Sequence, residues 1–260
     1  MERQQSSAKR IPGTWGSLLW RWEFWLITLT LMPFCFGVVV SVLYVTRAAY
    51  HRHVKNRLTL AGIGLHEMHE EHERFPMAVA FRTPDGRPGL SWRVAILPYL
   101  GEEALYRQFR LDESWDSPHN QTLVRQMPRA YQCDWAFRDN REGLTYFQAF
   151  RGKRCLFDES FISRKVGPKG LQLGRTLREV PDGSSNTLML GFARTPVPWT
   201  APEDIDTDDG RLMRERLLGL DRGLAVCFGD GSVRVMWLRL EEQKWRALLT
   251  VDGDEPWVNH

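Results

Sequence analysis

The chain has 260 residues with 35 Lys and Arg against 32 Asp and Glu, and a formal net charge of +3 does not mark a nucleic-acid binder. Aromatic residues at 12% supply enough burial for a packed core, which excludes a disordered chain; 21 Gly and 14 Pro scattered without period exclude a collagen-like or low-complexity one. Four cysteines with no C-x-x-C pair exclude a disulfide scaffold and a zinc knuckle.

Residues 1–23 read as an N-terminal tail. Phe24 to Val45 then runs for 22 residues without a charge or an amide side chain. As a helix it would span about 33 Å, against a bilayer hydrocarbon core of roughly 30 Å. Trp20, Trp22 and Trp25 stand at one end and Tyr44 and Tyr50 at the other, the positions that amphipathic rings favour at headgroup depth. The competing readings are a cleavable secretory signal and a buried core helix. A signal is shorter in its apolar part and ends in a small-x-small site, whereas here Arg47 follows almost at once, so the residues favour a retained transmembrane helix over 24–45. Pro33 should bend it. Arg3, Lys9, Arg10 and Arg21 before the span are balanced by Arg47, Arg52, Lys55 and Arg57 after it, so the positive-inside rule does not choose a side.

Residues 46–260 form the working domain. Val54, Leu58, Ala61, Leu65 and Met68 recur at spacings of four and three, one stripe of an amphipathic helix that continues the span and stops near Phe75-Pro76. After the turn cluster from Thr83 to Gly89, a second helix is expected from Ser91 to Phe109, bent or broken at Pro98. Strands are expected at 145–150, 186–192 and 224–238, the last interrupted by Gly229-Asp-Gly231, a hairpin signal. A short helix at 241–249 closes the pattern. Helices first and strands later give an α+β fold, with the long helix packed on a small antiparallel sheet.

Candidate chemistry is sparse. His66, His69 and His72 lie at i, i+3 and i+6, but the third sits about 240° around the axis from the first, and Glu70 stands where a zincin needs its second His. Polar contacts on the helix surface are the simpler reading. Asp204, Asp206, Asp208 and Glu215 occupy positions 1, 3, 5 and 12 of a calcium loop, although Asp209 and Arg211 replace the glycine and the apolar residue that an EF-hand requires. Calcium is therefore the one cofactor considered, against a solvated acidic loop. Eight basic residues between Arg151 and Arg178 face only Asp158 and Glu159. They read as a solvated face, with anionic headgroups as the minority partner. Asp182-Gly-Ser-Ser-Asn-Thr187 lacks the nucleophile spacings of hydrolases and reads as turns. Cys133, Cys155 and Cys227 allow one disulfide at most. Trp92, Trp115 and Trp199 would stack on a ligand if exposed, and anchor the core if buried.

The order of motifs resembles a family: the prepilin-like, membrane-anchored proteins of domain-of-unknown-function 1559, expanded in planctomycete-type bacteria. The matching pieces are Gly64-Leu-His-Glu-Met-His69 with Phe75-Pro76, Ser91-Trp-Arg-Val-Ala-Ile-Leu-Pro-Tyr-Leu100 with Ala104-Leu-Tyr106, and Trp115-Asp-Ser-Pro-His-Asn120. Asp182-Gly-Ser-Ser-Asn-Thr187, Val197-Pro-Trp-Thr-Ala-Pro-Glu-Asp204 and Phe228-Gly-Asp-Gly-Ser-Val233 complete the series. The resemblance implies a pseudopilin-like domain displayed outside the cytoplasmic membrane on a single-pass anchor, with no established activity, a hint of solute binding, and calcium in an acidic loop. Its departures are specific. Arg21 stands at the fifth position after Gly16, where a prepilin has Glu; Val54 and Cys133-Asp-Trp-Ala replace a Cys and a Cys-Pro-Ser-Asp, and Leu220 replaces a His. The expectation is a non-enzymatic envelope protein whose partners are the bilayer and other envelope or pseudopilin-like proteins, not nucleic acid. The alternative is an extracytoplasmic module binding a solute or carbohydrate; a hydrolase ranks third.

Overall fold

The computed structural model describes residues 15–133, 137–161, 166–219, 223–237 and 240–253. These fall into two compact units, divided between Tyr50 and His51.

The first unit is helical. Helix α1, Trp15–His72, begins in it and runs past Pro33 without a break. From Leu31 it carries exposed apolar side chains, among them Met32, Phe34, Phe36, Leu43, Tyr44 and Val45. A proline in the interior removes one backbone donor, which a long helix tolerates where its neighbours continue the ladder. Among the described residues this is the one helix long and apolar enough to cross a membrane. Trp20, Trp22, Trp25 and the Gly16 to Arg21 segment lie outside the residues whose side chains are described, as does Leu220.

The second unit contains the rest of α1 and the domain. Val54, Leu58, Ala61, Leu65 and Met68 are all fully buried, so the stripe read from the spacing is the face that the domain covers. Glycine lets α1 come close. A Cβ at Gly64 would lie 3.0 Å from Leu100 Cδ2, and one at Gly62 would lie 3.1 Å from Cys227 Sγ. The helix ends at His72, three residues before Phe75, and Glu73 turns the chain with φ of 61°.

Next come β1, Val79–Arg82, and β2, Pro88–Ser91, an antiparallel pair with irregular register. The single helix expected over 91–109 is three short pieces: α2, Trp92–Ala95; a 3-10 turn, Leu97–Leu100; and α3, Glu103–Tyr106. Ser91 Oγ caps the first by accepting from Arg93 N, and Gly101 in the left-handed region (φ 77°) ends the second. Pro98 sits at the start of the 3-10 turn, where its missing N–H costs nothing.

After a 3-10 stretch at Asn120–Gln126 come α4, Phe137–Glu142; β3, Leu144–Arg151; β4, Leu188–Pro198; and β5, Ile205–Asp206. They are followed by α5, Met213–Arg216; β6, Gly223–Phe228; β7, Val233–Trp237; and α6, Glu242–Leu249. The main sheet has the order β5-β3-β4-β6-β7. Its pairings are antiparallel apart from the short parallel contact of β5 with β3. The β6–β7 hairpin closes where the Asp-Gly signal puts it, with Cys227 opposite Val233 and Phe228 N donating to Ser232 O at 2.9 Å. Trp245, Leu248 and Leu249 of α6 pack with Leu188, Leu224, Val226 and Phe228 into one cluster. The architecture is α+β, with a long N-terminal helix and a small, largely antiparallel sheet.

Candidate functional site

The polar centre of the domain is buried. Arg93, in α2, is fully inaccessible, and its guanidinium is an arm between segments far apart in sequence. Nε donates to Phe147 O at 2.9 Å, Nη1 to Ser91 Oγ at 2.8 Å and Ala201 O at 3.3 Å, and Nη2 to Glu203 O at 3.3 Å. The last arm also pairs with Asp204 Oδ1 at 2.6 Å, both side chains wholly buried. The same carboxylate oxygen accepts Ala149 N at 2.8 Å and Trp92 Nε1 at 3.2 Å. Burial pushes the Asp204 carboxyl up from its ordinary range, opposed by the charge of Arg93 and the N–H donors of Ala149 and Trp92. Ser91-Trp-Arg93 and Pro202-Glu-Asp204 are therefore two halves of one knot that ties α2 to β3 and to the chain after β4.

Aromatic rings enclose it. Tyr131 stacks on Trp199 with centroids 5.8 Å apart and meets Trp92 edge to face at 6.4 Å; Phe109 meets Trp199 edge to face at 5.7 Å. Both indole nitrogens are used, Trp199 Nε1 donating to Val124 O at 2.8 Å. Trp92 and Trp199 have no exposed surface, so the stacking role considered for them gives way to a core role. Trp115 differs, being partly exposed.

The four carboxylates of the calcium pattern do not converge. Asp204 turns inward to Arg93, Asp206 faces Arg151 Nη2 at 3.6 Å, and Asp208 Oδ2 accepts Lys153 N at 2.9 Å. Glu215 is exposed on α5. The correction has a simple cause: β5 begins at Ile205, so the backbone alternates sides within the span that a calcium loop would curl around one point. Among the described residues no group of three or more His, Cys, Asp or Glu side chains is placed to hold a metal.

The histidines also disperse. His69 Nε2 accepts the Leu177 N–H at 3.3 Å, His72 Nε2 lies 3.2 Å from Tyr99 Oη, and His66 lies edge-on to Phe75 with centroids 5.6 Å apart. Burial, then the neighbouring His66, hold His69 below its ordinary pKa. Three of the six described basic residues of the stretch 151–178 are in ion pairs. Arg151 pairs with Glu159 at 3.2 Å, Arg154 with Asp252 at 2.7 Å and Arg175 with Asp158 at 3.2 Å. Arg164 and Lys165 lie outside the described residues. Asp182 to Thr187 is a turn: Asn186 Nδ2 donates to Asp182 O at 2.9 Å, and Gly229 N and Asp230 N of the β6–β7 loop donate to Thr187 O and Ser184 O. Cys133, Cys155 and Cys227 are buried, and burial pushes Cys155 and Cys227 up to about 12.

Among the described residues a concavity opens at the surface. A groove of about 600 Å³ is lined by Trp115, Gln121, Thr122, Val124, Arg125, Glu142 and Pro198. The Asn120–Gln126 turn supplies one wall and the end of α4 with the end of β4 the other. Asn120 fixes that turn from inside: fully buried, it accepts Arg110 N at 3.1 Å and donates through Nδ2 to Arg110 O at 2.9 Å. Trp115 is held through its backbone, N–H to Gly89 O at 3.1 Å. Sequence reasoning named Trp115 but not its neighbours, because exposed Gln, Thr, Arg and Glu carry no pattern of their own.

The described residues combine an N-terminal helix long and apolar enough to cross a membrane with an α+β domain whose polar knot is structural and which has a concavity at Trp115. The family model for the proteins described as Protein of unknown function (DUF1559) matches residues 54–213, and the chain belongs to that family. No curated protein and no solved structure matches it.

Proposed function

We propose that this protein is a single-pass, membrane-anchored envelope protein whose pseudopilin-like domain is displayed outside the cytoplasmic membrane and acts in assembly or interaction, not in catalysis. One observation carries the reading. A single helix is exposed and apolar over Leu31–Val45 and then presents a fully buried stripe, Val54 to Met68, to its own domain. A soluble protein would bury or break the first part, since an uncovered apolar surface of that size belongs in lipid or against a partner.

The test is fractionation of an expressing bacterium followed by intact-mass measurement. The expected result is a chain that resists carbonate extraction, is released by detergent, and has the mass of an anchor still joined to its domain. A soluble product lacking the residues before Arg47 would assign the helix to a cleaved signal and remove the anchor.

A second reading, an extracytoplasmic ligand-binding module, is favoured by the groove at Trp115. Its volume lies within the range of small-molecule sites. The two readings are compatible, because an anchored domain can also bind.

A further inference from the structure

The ligand-binding reading of the groove gains a chemical class when its walls are examined residue by residue. Trp115 contributes a partly exposed ring to the groove, on a backbone anchored by its N–H to Gly89 O. Gln121 and Arg125 are exposed and stand four residues apart on one turn. Neither side chain has a partner among the described residues, leaving an amide and a guanidinium fork to face a ligand. Across the groove Glu142 is already held by Arg138 Nε at 3.0 Å. The charge left uncompensated at the groove is therefore the one positive charge of Arg125.

An aromatic ring, an amide and an unpaired guanidinium form a selective combination. The C–H face of a pyranose carries partial positive charge and lies well on the negative face of an indole. Gln121 can donate to one hydroxyl and accept from another. A planar guanidinium binds a carboxylate in bidentate fashion, which a neutral sugar does not offer. We infer that the Trp115 groove binds a short acidic oligosaccharide of the uronate type, stacked on Trp115, with its carboxylate on Arg125 and its hydroxyls on Gln121. This rests on the ligand-binding reading above.

The test is isothermal titration of the full chain in detergent micelles with three probes: trigalacturonate, the neutral maltotriose, and tri-glutamate. Trigalacturonate is expected to bind at least tenfold more tightly than maltotriose, and to weaken as salt rises because the Arg125 contact is exposed. Arg125→Gln should bring trigalacturonate down to the level of maltotriose while leaving maltotriose and the melting temperature unchanged. Trp115→Ala should weaken both sugars at least tenfold; Trp115→Phe, which keeps a ring, should retain part of the binding and shows that the loss is not unfolding. Equal binding of the two trisaccharides, lost in Trp115→Ala, would keep the ligand-binding reading and overturn the acidic class. Tri-glutamate bound more tightly than trigalacturonate through Arg125 would replace the sugar with a peptide. No heat from any probe at millimolar concentration would overturn the uronate assignment and leave the ligand-binding reading to ligands of another class.

Discussion

At the scale of single residues, the buried pair Arg93 and Asp204 decides more than any other contact. Its two side chains are 111 positions apart in the chain and 2.6 Å apart in space. Removing the guanidinium leaves a carboxylate in an apolar interior and takes the donor from the carbonyls of Phe147, Ala201 and Glu203. Breaking such a pair costs about 3–5 kcal/mol, whereas conserving it adds little net stability over an apolar replacement. Arg93→Ala should lower the urea midpoint accordingly, and Arg93→Lys should recover only part of the loss, because an ammonium cannot reach the five acceptors that the planar guanidinium reaches. An unchanged midpoint in Arg93→Ala would remove the knot from the account. Nothing in the sequence could assign this role. Spacing along the chain put Asp204 in a calcium loop, and pairing across 111 residues leaves no local period. Trp92, Trp115 and Trp199 were equal candidates for the same reason, since exposure is settled by what the rest of the chain brings to each ring.

Among the elements, those with a local cause were legible. The stripe on α1 follows from the 3.6-residue period, and the β6–β7 hairpin from Asp230-Gly231 between β-prone runs. The stretch 91–109 was not, because its apolar residues also have helical spacing while Pro98 and Gly101 cut it into single turns. Strands β1 and β2 escaped notice too: four residues each, with Pro88 and Gly89 in one of them, they are held by pairing and not by propensity. The docking of α1 can be measured directly. Leu65 is fully buried on the stripe and Leu60 is 40% exposed off it. Leu65→Ala should cost about 2–5 kcal/mol through the cavity it leaves, and Leu60→Ala within about 0.5 kcal/mol. Equal costs at the two positions, read by chemical denaturation, would show that the stripe is not the packed face.

For the whole molecule, acid is the condition that tests the polar contacts together. His69 has a folded pKa below its unfolded one, so its contribution is complete above roughly pH 6.5 and is lost as pH falls through the folded value, when the ring can no longer accept from Leu177 N–H. Burial alone would raise the Asp158 carboxyl, but hydrogen bonds from Ser160, the Arg154 N–H and Arg175 outweigh it and hold the group low. Its contribution is present above roughly pH 3.9 and disappears as pH falls through the depressed value. The melting temperature should thus be level from pH 8 to 7 and decline in two stages below, and His69→Gln should flatten the first stage only. The raised Asp204 carboxyl acts in the opposite direction, so the variant is the decisive comparison: a first stage left unchanged in His69→Gln would contradict the assignment to His69.

The central claim is that the domain after the apolar helix stands outside the cytoplasmic membrane, and a single engineered thiol reads it most directly. Cys133, Cys155 and Cys227 are buried, and the latter two are held protonated by that burial, so they do not compete for a reagent that attacks thiolates. Asp112 is exposed and its replacement by cysteine disturbs no described contact. In spheroplasts expressing Asp112→Cys in a chain whose exposed Cys35 is removed by Cys35→Ala, a membrane-impermeant maleimide should label the chain before lysis, to the same extent as after it. Labelling that appears only once the membrane is broken would put the domain in the cytoplasm and contradict the account.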